Sequence, residues 1–250
     1  MQITVLGQGY VGLPLAIAAS KAGNTVFGLD NNGEKISALK SGKSIIEDLS
    51  DEIIRKSIDS KLYTPTTDQN VISASEIILI CVPTPLTVSN LPDLSVLINA
   101  TTSLGKKLKV GTLVIVESTI EPGTCRNILL PILLKESGLK LGDFDLAYSP
   151  ERIDPTNKKW GISNTPKLVA GLTENSAKRA QGFYGQFIDS ITICSSLEIA
   201  ETAKLLENSF RLVNISFINE LAIFCQKIGI DISGNFCSSD QAIWIYAFLP

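Results

Sequence analysis

The opening twelve residues, "MQITVLGQGYVG", constrain the fold more than any other stretch of the chain. Residues 2–6 make a short β-rich run, Gly7, Gly9 and Gly12 follow at GxGxxG spacing, and "LPLAIAASKAG" then carries helical periodicity that closes on Gly23. A strand that turns through three glycines into a helix has few architectures open to it. One glycine makes the tight turn, one leaves room for a pyrophosphate to approach the backbone, and one lets the helix pack closely on the strand.

The pattern continues. "TVFGLD" predicts a second strand ending at Asp30, eighteen residues after Gly12, and "NGEKISALKSG" and "DEIIRKSIDS" predict helices. Strands follow at "EIILICV", "TLVIVE" and "DFDLAYS", with helices between and after them at "DLSVLINATTSLGKKL" and "GTCRNILLPILLKES". "KLVAGL", "ENSAKRAQGFYGQF" and "SITIC" repeat the alternation once more. Strands apolar throughout, alternating with helices, imply a doubly wound α/β fold with a parallel sheet covered on both faces. Asp30 suits the 2′,3′-diol of a ribose and repels a 2′-phosphate, so the turn and carboxylate together predict NAD rather than NADP; the competing possibility is that Asp30 caps the helix from Asn31. Residues 197–228 then contain no Gly or Pro and repeat apolar residues at helical spacing. They predict one helix of about 45 Å, a connector or dimer surface rather than another crossover.

Composition excludes several classes. With 44% apolar and 19% charged residues the chain is globular in type, and no stretch reaches the length of a membrane span. The start has no basic segment before its apolar run, which points to the cytoplasm. A net charge of −3 without a basic block offers nothing to nucleic acid. The five cysteines, 81, 125, 194, 225 and 237, lack CxxC spacing, as expected of reduced thiols rather than disulfides or a metal centre. There is no histidine, so proton transfer falls to Lys, Glu, Asp, Cys or water.

Four further segments carry candidate chemistry. "CVPTP", "VESTIEPGT" and "SPERIDP" each follow a predicted strand, and in a doubly wound sheet the carboxyl ends of strands face the ligand crevice. Pro83 and Thr84 then lie near the cofactor, unless they are an ordinary strand-ending turn. Ser118 and Thr119 can bond cofactor or substrate, although Thr119 and Thr124 are also suited to capping the next helix. Glu151 can orient or deprotonate water and Arg152 can hold a phosphate, whereas a Glu-Arg pair in a loop is otherwise a solvated pair. On the long helix Lys204, Asn208 and Arg211 fall at i, i+4 and i+7, one face that can cradle a developing alkoxide and an anionic substrate. The alternative is a solvated stripe completed by Glu201 and Glu207.

Taken together, "GQGYVGLPLA", "VPTP", "ESTIEPGT", "SPERIDPTNKKW" and "AKLLENSFRLVNISFINELA" resemble the UDP-glucose/GDP-mannose dehydrogenase family over residues 1–231, most closely the branch oxidising UDP-N-acetyl sugars for surface polysaccharide. The resemblance implies oxidation of the sugar C6 alcohol to a carboxylate in two NAD-dependent steps. It implies that Gly7, Gly9, Tyr10, Val11, Gly12 and Asp30 bind NAD, with Lys35, Pro83, Thr84, Thr119 and Glu151 beside it. Catalysis falls to Lys204, Asn208, Glu151 and Thr119, and a UDP-sugar lies against Glu151, Arg152, Lys204, Asn208 and Arg211; no metal is implied. It also implies a cysteine nucleophile in a "GGHC"-like motif beyond the central helix, trapping the aldehyde as a thiohemiacetal. These 250 residues contain no such motif; Cys125 lies near a helix start, where a thiol can be acidified, but reads more readily as a packing residue.

The expected organisation is an NAD-binding domain over 1–193, a central dimerisation helix over 194–231, and an aberrant tail over 232–250. Back-translating 241–250 as CAA GCC ATT TGG ATT TAT GCC TTT TTA CC and dropping the first base gives Lys-Pro-Phe-Gly-Phe-Met-Pro-Phe-Tyr, the text with which the family continues. The tail is therefore expected to be a frameshift product, and the chain a truncated, inactive or impaired form; the alternative is a divergent short protein whose tail packs on the long helix. Two other functions are compatible with the sequence: a non-catalytic NAD-binding and dimerising module, and a relative of the β-hydroxyacid dehydrogenases.

Overall fold

The structure is a computed structural model that describes residues 1–152 and 161–230. The tail expected over 232–250, and the stretch of "SPERIDPTNKKW" from residue 153 to 160, lie outside the described residues. The chain divides into two compact units, Met1–Thr202 and Ala203–Pro250.

The first unit is built on eight strands: β1 (Gln2–Leu6), β2 (Thr25–Leu29), β3 (Tyr63–Thr66), β4 (Ile77–Ile80), β5 (Leu113–Val116), β6 (Asp145–Tyr148), β7 (Lys167–Gly171) and β8 (Ile191–Ile193). They pair in the order β3-β2-β1-β4-β5-β6-β7-β8. The first six are mutually parallel in the 3-2-1-4-5-6 order of a dinucleotide-binding sheet, which reverses winding between β1 and β4. Helices α1 (Gly12–Lys21), α2 (Gly33–Lys40), α3 (Asp51–Asp59), α4 (Ser95–Gly105), α5 (Leu130–Ser137) and α6 (Glu174–Tyr184) cover the sheet, and α7 (Leu197–Lys227) follows it.

Strand periodicity sorts the core into two faces. Ile77, Leu79, Leu113, Ile115 and Ala147 pack with Leu13, Leu15 and Ile17 of α1 and Phe183 of α6. Their neighbours Ile78, Ile80, Val114, Val116 and Leu146 point the other way, onto Leu97 and Leu104 of α4 and Leu133 of α5. Every residue of β4 and β5 is buried, which is why these strands read as uninterrupted apolar runs.

Three features depart from the sequence expectation. β7 runs antiparallel to β6, so the sheet is mostly rather than wholly parallel, and β8 then pairs parallel with β7. β3, with the sequence YTPT, gave no strand signal because it is short and contains Pro65; it lies at the edge of the sheet, where a proline is tolerated. The helix expected over 123–137 begins as a π-helical turn, Cys125–Leu129, and becomes α-helical from Leu130; Pro131 has no N–H to give the preceding turn, and the helix is widened there.

The first turn of α7 is rooted in the first unit. Leu197 and Ala200 are buried in the α4–α5 side of the core. Glu201 is 0% exposed, and its carboxylate accepts the N–H groups of Gly123 at 2.5 Å and Cys125 at 3.0 Å. A carboxylate from a distant segment thus caps the turn that starts at Cys125, with Arg126 and Glu198 paired beside it at 2.6 Å. In the second unit the long helix continues, and Leu206, Leu212, Val213, Phe217 and Phe224 are exposed on it.

Two substitutions here have opposite expected signs. Glu201→Ala leaves two buried N–H groups without an acceptor and is expected to cost about 2–4 kcal/mol. Tyr148 is buried with no hydrogen-bond partner for its hydroxyl among the described residues, so Tyr148→Phe is expected to be neutral or to stabilise by up to about 1 kcal/mol. Urea unfolding of the two variants beside the parent checks both.

Candidate functional site

At the winding reversal, the turn from β1 into α1 is closed by steric necessity. Gly7 has φ +91°, and a Cβ there would stand 2.5 Å from the Cys81 carbonyl oxygen. A Cβ on Gly12 would stand 1.8 Å from the Gly7 carbonyl oxygen. Gly9 differs: nothing lies within 4 Å of where its Cβ would be. That open space adjoins the start of α1, whose N-cap residue, Val11, makes no side-chain cap bond. A helix start left uncapped beside an open glycine fits a pyrophosphate. Tyr10 is exposed on the same turn.

Asp30 ends β2 as expected, but it does not cap α2; Asn32 does, accepting from the N–H groups of Glu34 and Lys35. The Asp30 carboxylate is 9% exposed and accepts the N–H of Gln8 at 2.8 Å and of Asn32 at 2.9 Å. Lys35 Nζ lies 3.9 Å from it. The carboxylate is thereby fixed beside the glycine turn, with lone pairs left for a ribose diol. Gln8 itself is anchored from below: its Nε2 donates to the Val5 carbonyl and its Oε1 accepts from the Tyr63 hydroxyl at 2.8 Å. Gly28 makes this possible, since a Cβ there would stand 2.5 Å from Gln8 Oε1.

The β4 and β5 edges are tied together. The Thr84 hydroxyl donates to the Thr119 carbonyl at 2.8 Å, and the Ser118 hydroxyl to the Val82 carbonyl at 2.7 Å. Pro83 is exposed and Thr84 and Thr119 are half-buried. The capping role considered for Thr124 is not realised, because the Glu201 carboxylate fills it.

The β6 edge holds a cluster that the sequence did not announce. Glu117, one residue beyond β5, is 1% exposed and takes the Lys167 ammonium at 2.8 Å and the Tyr184 hydroxyl. Burial pushes the Glu117 carboxyl up from its ordinary 4.5 to about 6, with the attraction of Lys167 limiting the rise. Burial pulls Lys167 down, but Glu117 and Glu151 together hold it above 10.5, so the ammonium stays charged. Glu151 and Arg152 are half-buried rather than a solvated pair, and Arg152 Nη1 donates to the Pro166 carbonyl at 3.0 Å. An apolar strand end hides such a pair, because Lys167 and Glu117 lie 50 residues apart in sequence.

Lys204, Asn208 and Arg211 belong to the second unit and share one face of α7; Lys204 is half-buried, Asn208 and Arg211 exposed. Glu201, which the sequence grouped with that polar stripe, is buried and committed to its capping role. Burial pushes the Cys81 and Cys125 thiols well above 9.0, which makes them packing residues rather than nucleophiles. Among the described residues no group of three His, Cys, Asp or Glu side chains is arranged to hold a metal.

Residues 1–188 match the model of the UDP-glucose/GDP-mannose dehydrogenase family, NAD binding domain, and residues 198–236 that of its central domain. The chain belongs to this family. The glycine turn and Asp30 lie within the matched NAD binding domain, and the match decides against a β-hydroxyacid dehydrogenase. The UDP-N-acetyl-D-glucosamine 6-dehydrogenase of Pseudomonas aeruginosa is 37% identical over 233 residues, covering 92% of this chain and 54% of that protein. The UDP-N-acetyl-D-mannosamine dehydrogenase of Pyrococcus horikoshii is 35% identical, at 93% and 56% coverage. Its solved structure superposes with a TM-score of 0.86 at 34% identity, covering 92% of this chain and 55% of that one. A ternary complex of GDP-mannose dehydrogenase from Pseudomonas aeruginosa superposes at 0.87 with 26% identity, at 92% and 54% coverage. The chain spans about half the length of the curated relatives it matches.

Gly9→Ala is expected to fold with an unchanged melting temperature and to lose NAD affinity, whereas Gly12→Ala should lower stability itself, by about 3 kcal/mol or more; calorimetry with NAD and thermal melts separate the two. Glu117 is raised in the folded state, so its contribution is complete below pH 4.5 and is lost as pH rises to about 6. Measured by urea unfolding against Glu117→Gln, the parent is expected to lose about 2 kcal/mol across that window.

Proposed function

We propose that these residues are the NAD-binding half, with the start of the central helix, of an enzyme that oxidises the C6 alcohol of a UDP-N-acetylhexose to a uronic acid. The observation that carries the reading is the open space at Gly9 beside the uncapped start of α1, within reach of a fixed Asp30 carboxylate, in a chain of this family. NAD, when bound, takes up the hydride. Gly7, Gly9, Tyr10, Val11 and Gly12 form its turn, Asp30 and Lys35 hold its ribose, and Pro83, Thr84 and Thr119 line its second half. Glu151 orients the hydrolytic water, Lys204 and Asn208 stabilise the C6 oxyanion, and Arg152 and Arg211 hold the anionic substrate. The 37% identity to a UDP-N-acetyl-D-glucosamine 6-dehydrogenase supports the sugar class.

A homodimer through α7 belongs to the same reading, supported by the exposed apolar side chains of that helix. So does a cytoplasmic setting, supported, among the described residues, by four free cysteines and by the absence of a helix long and apolar enough to cross a membrane.

The 250-residue chain by itself is expected to bind NAD and not to accumulate uronate, since Cys81 and Cys125 are buried and no "GGHC"-like motif occurs in it. Calorimetry should give binding of NAD+ and weaker binding of NADP+. Incubation with NAD+ and UDP-N-acetylglucosamine should give no product by mass spectrometry. Uronate formation would mean that a working nucleophile lies within these residues, and absence of NAD+ binding would sink the reading as a whole.

A further inference from the structure

A fully buried Glu–Lys pair is an unexpected thing beside strands as apolar as β4 and β5. Such a pair gives no net stability over well-packed apolar residues of the same volume, because both ions lose their hydration. Its retention calls for something that a methionine and a leucine in the same positions could not do.

The topology indicates what that is. In an all-parallel sheet the first residue of a strand lies on the edge opposite the ligand crevice. Because β7 runs antiparallel to β6, its first residue, Lys167, lies instead at the carboxyl edge of the parallel strands. The register pairs Ala147 with Gly171 and Tyr148 with Ala170, and three further steps along it bring Lys167 opposite the end of the 149–151 turn. There the Lys167 ammonium reaches Glu117 at 2.8 Å and the Pro150 carbonyl, the peptide oxygen just before Glu151, at 3.4 Å. Tyr184 completes the mount: its hydroxyl donates to Glu117, and its ring lies 4.8 Å beneath the ammonium. The turn is held at two other points, by Ser149 N–H on the Val116 carbonyl at 2.9 Å and by Ser149 Oγ on the Leu168 carbonyl at 2.8 Å.

We propose that Lys167, held in place by Glu117 and Tyr184, is a positioning residue that fixes the 149–151 turn and so sets Glu151 against the nicotinamide half of the bound dinucleotide. This rests on the reading above, in which Glu151 faces the cofactor. The division of labour follows from the fold: β1, β2 and β3 form the half that takes the adenosine, and β4, β5 and β6 the half that takes the nicotinamide. Glu151 follows β6, so a fault in its placement acts on one end of the ligand alone.

That asymmetry supplies the test. The purified 250-residue chain is titrated with NAD+ and with ADP-ribose, which lacks the nicotinamide, and the emission of bound NADH reports the surroundings of the reduced ring. Glu117→Gln/Lys167→Met removes both charges together, so that neither is left buried alone, and Tyr184→Phe removes a single hydroxyl as a milder variant. The paired variant is expected to melt cooperatively, to bind ADP-ribose as the parent does, and to bind NAD+ about tenfold more weakly, as for loss of one hydrogen bond to a charged group. Tyr184→Phe should move the ratio of the two affinities in the same direction by less, and NADH emission should shift in both. Adding Glu151→Gln to the paired variant should weaken NAD+ no further, because the two changes act through one group. An equal loss for NAD+ and ADP-ribose, or an unchanged ratio in both variants, overturns the positioning role while leaving the dinucleotide site standing. A parent chain that binds neither ligand overturns the dinucleotide reading, and the positioning role with it.

Discussion

The Gly7 carbonyl oxygen sits 1.8 Å from where a Cβ on residue 12 would stand, so β1 and α1 approach as closely as two backbones without side chains can. The rest of the ligand edge is organised around that contact. It aims the start of α1 at the reversal between β1 and β4, and it puts Cys81, the first residue past β4, directly under the turn. The N–H of Gln8 is then in reach of Asp30, which joins the first crossover to the second strand by a charge-assisted hydrogen bond. Two layers of polar side chains, Asp30 above and Gln8 with Tyr63 below, sit here beside strands β4 and β5 that are wholly apolar.

On the far side of the reversal the logic changes from close approach to long-range tethering. Thr84 to Thr119, Lys167 to Glu117 and Glu201 to Gly123 and Cys125 each join segments at least 35 residues apart, and each ends on a loop past β4, β5 or β6. Loops at that edge are too irregular to bond to one another by backbone ladders. Side chains from strand ends and from the root of α7 do it instead, and two of the three tethers are buried carboxylates, which hold a backbone or a cation in one direction only.

What was legible in the sequence follows from this division. The glycine turn, the burial of β4 and β5, and the length of α7 are local patterns, and the residues alone were enough for them. β3 was missed because an edge strand with Pro65 carries no apolar alternation, and the inversion of β7 was missed because an apolar strand has no sign of its direction. Glu201 was read as one of a row of helix carboxylates, since nothing near it in sequence shows that it would be buried against a loop 76 residues away. The same holds for Glu117 and Lys167, each a lone charge beside an apolar run. A charge at the end of a strand that is otherwise fully buried is the one local sign they do give.

The exposed apolar residues of α7 have a consequence inside a cell. Leu206, Leu212, Val213, Ile215 and Phe217 are 53 to 66% exposed, the kind of surface that chaperones and proteases sense. A chain with a sound nucleotide fold can therefore be scarce for a reason that lies in its helix.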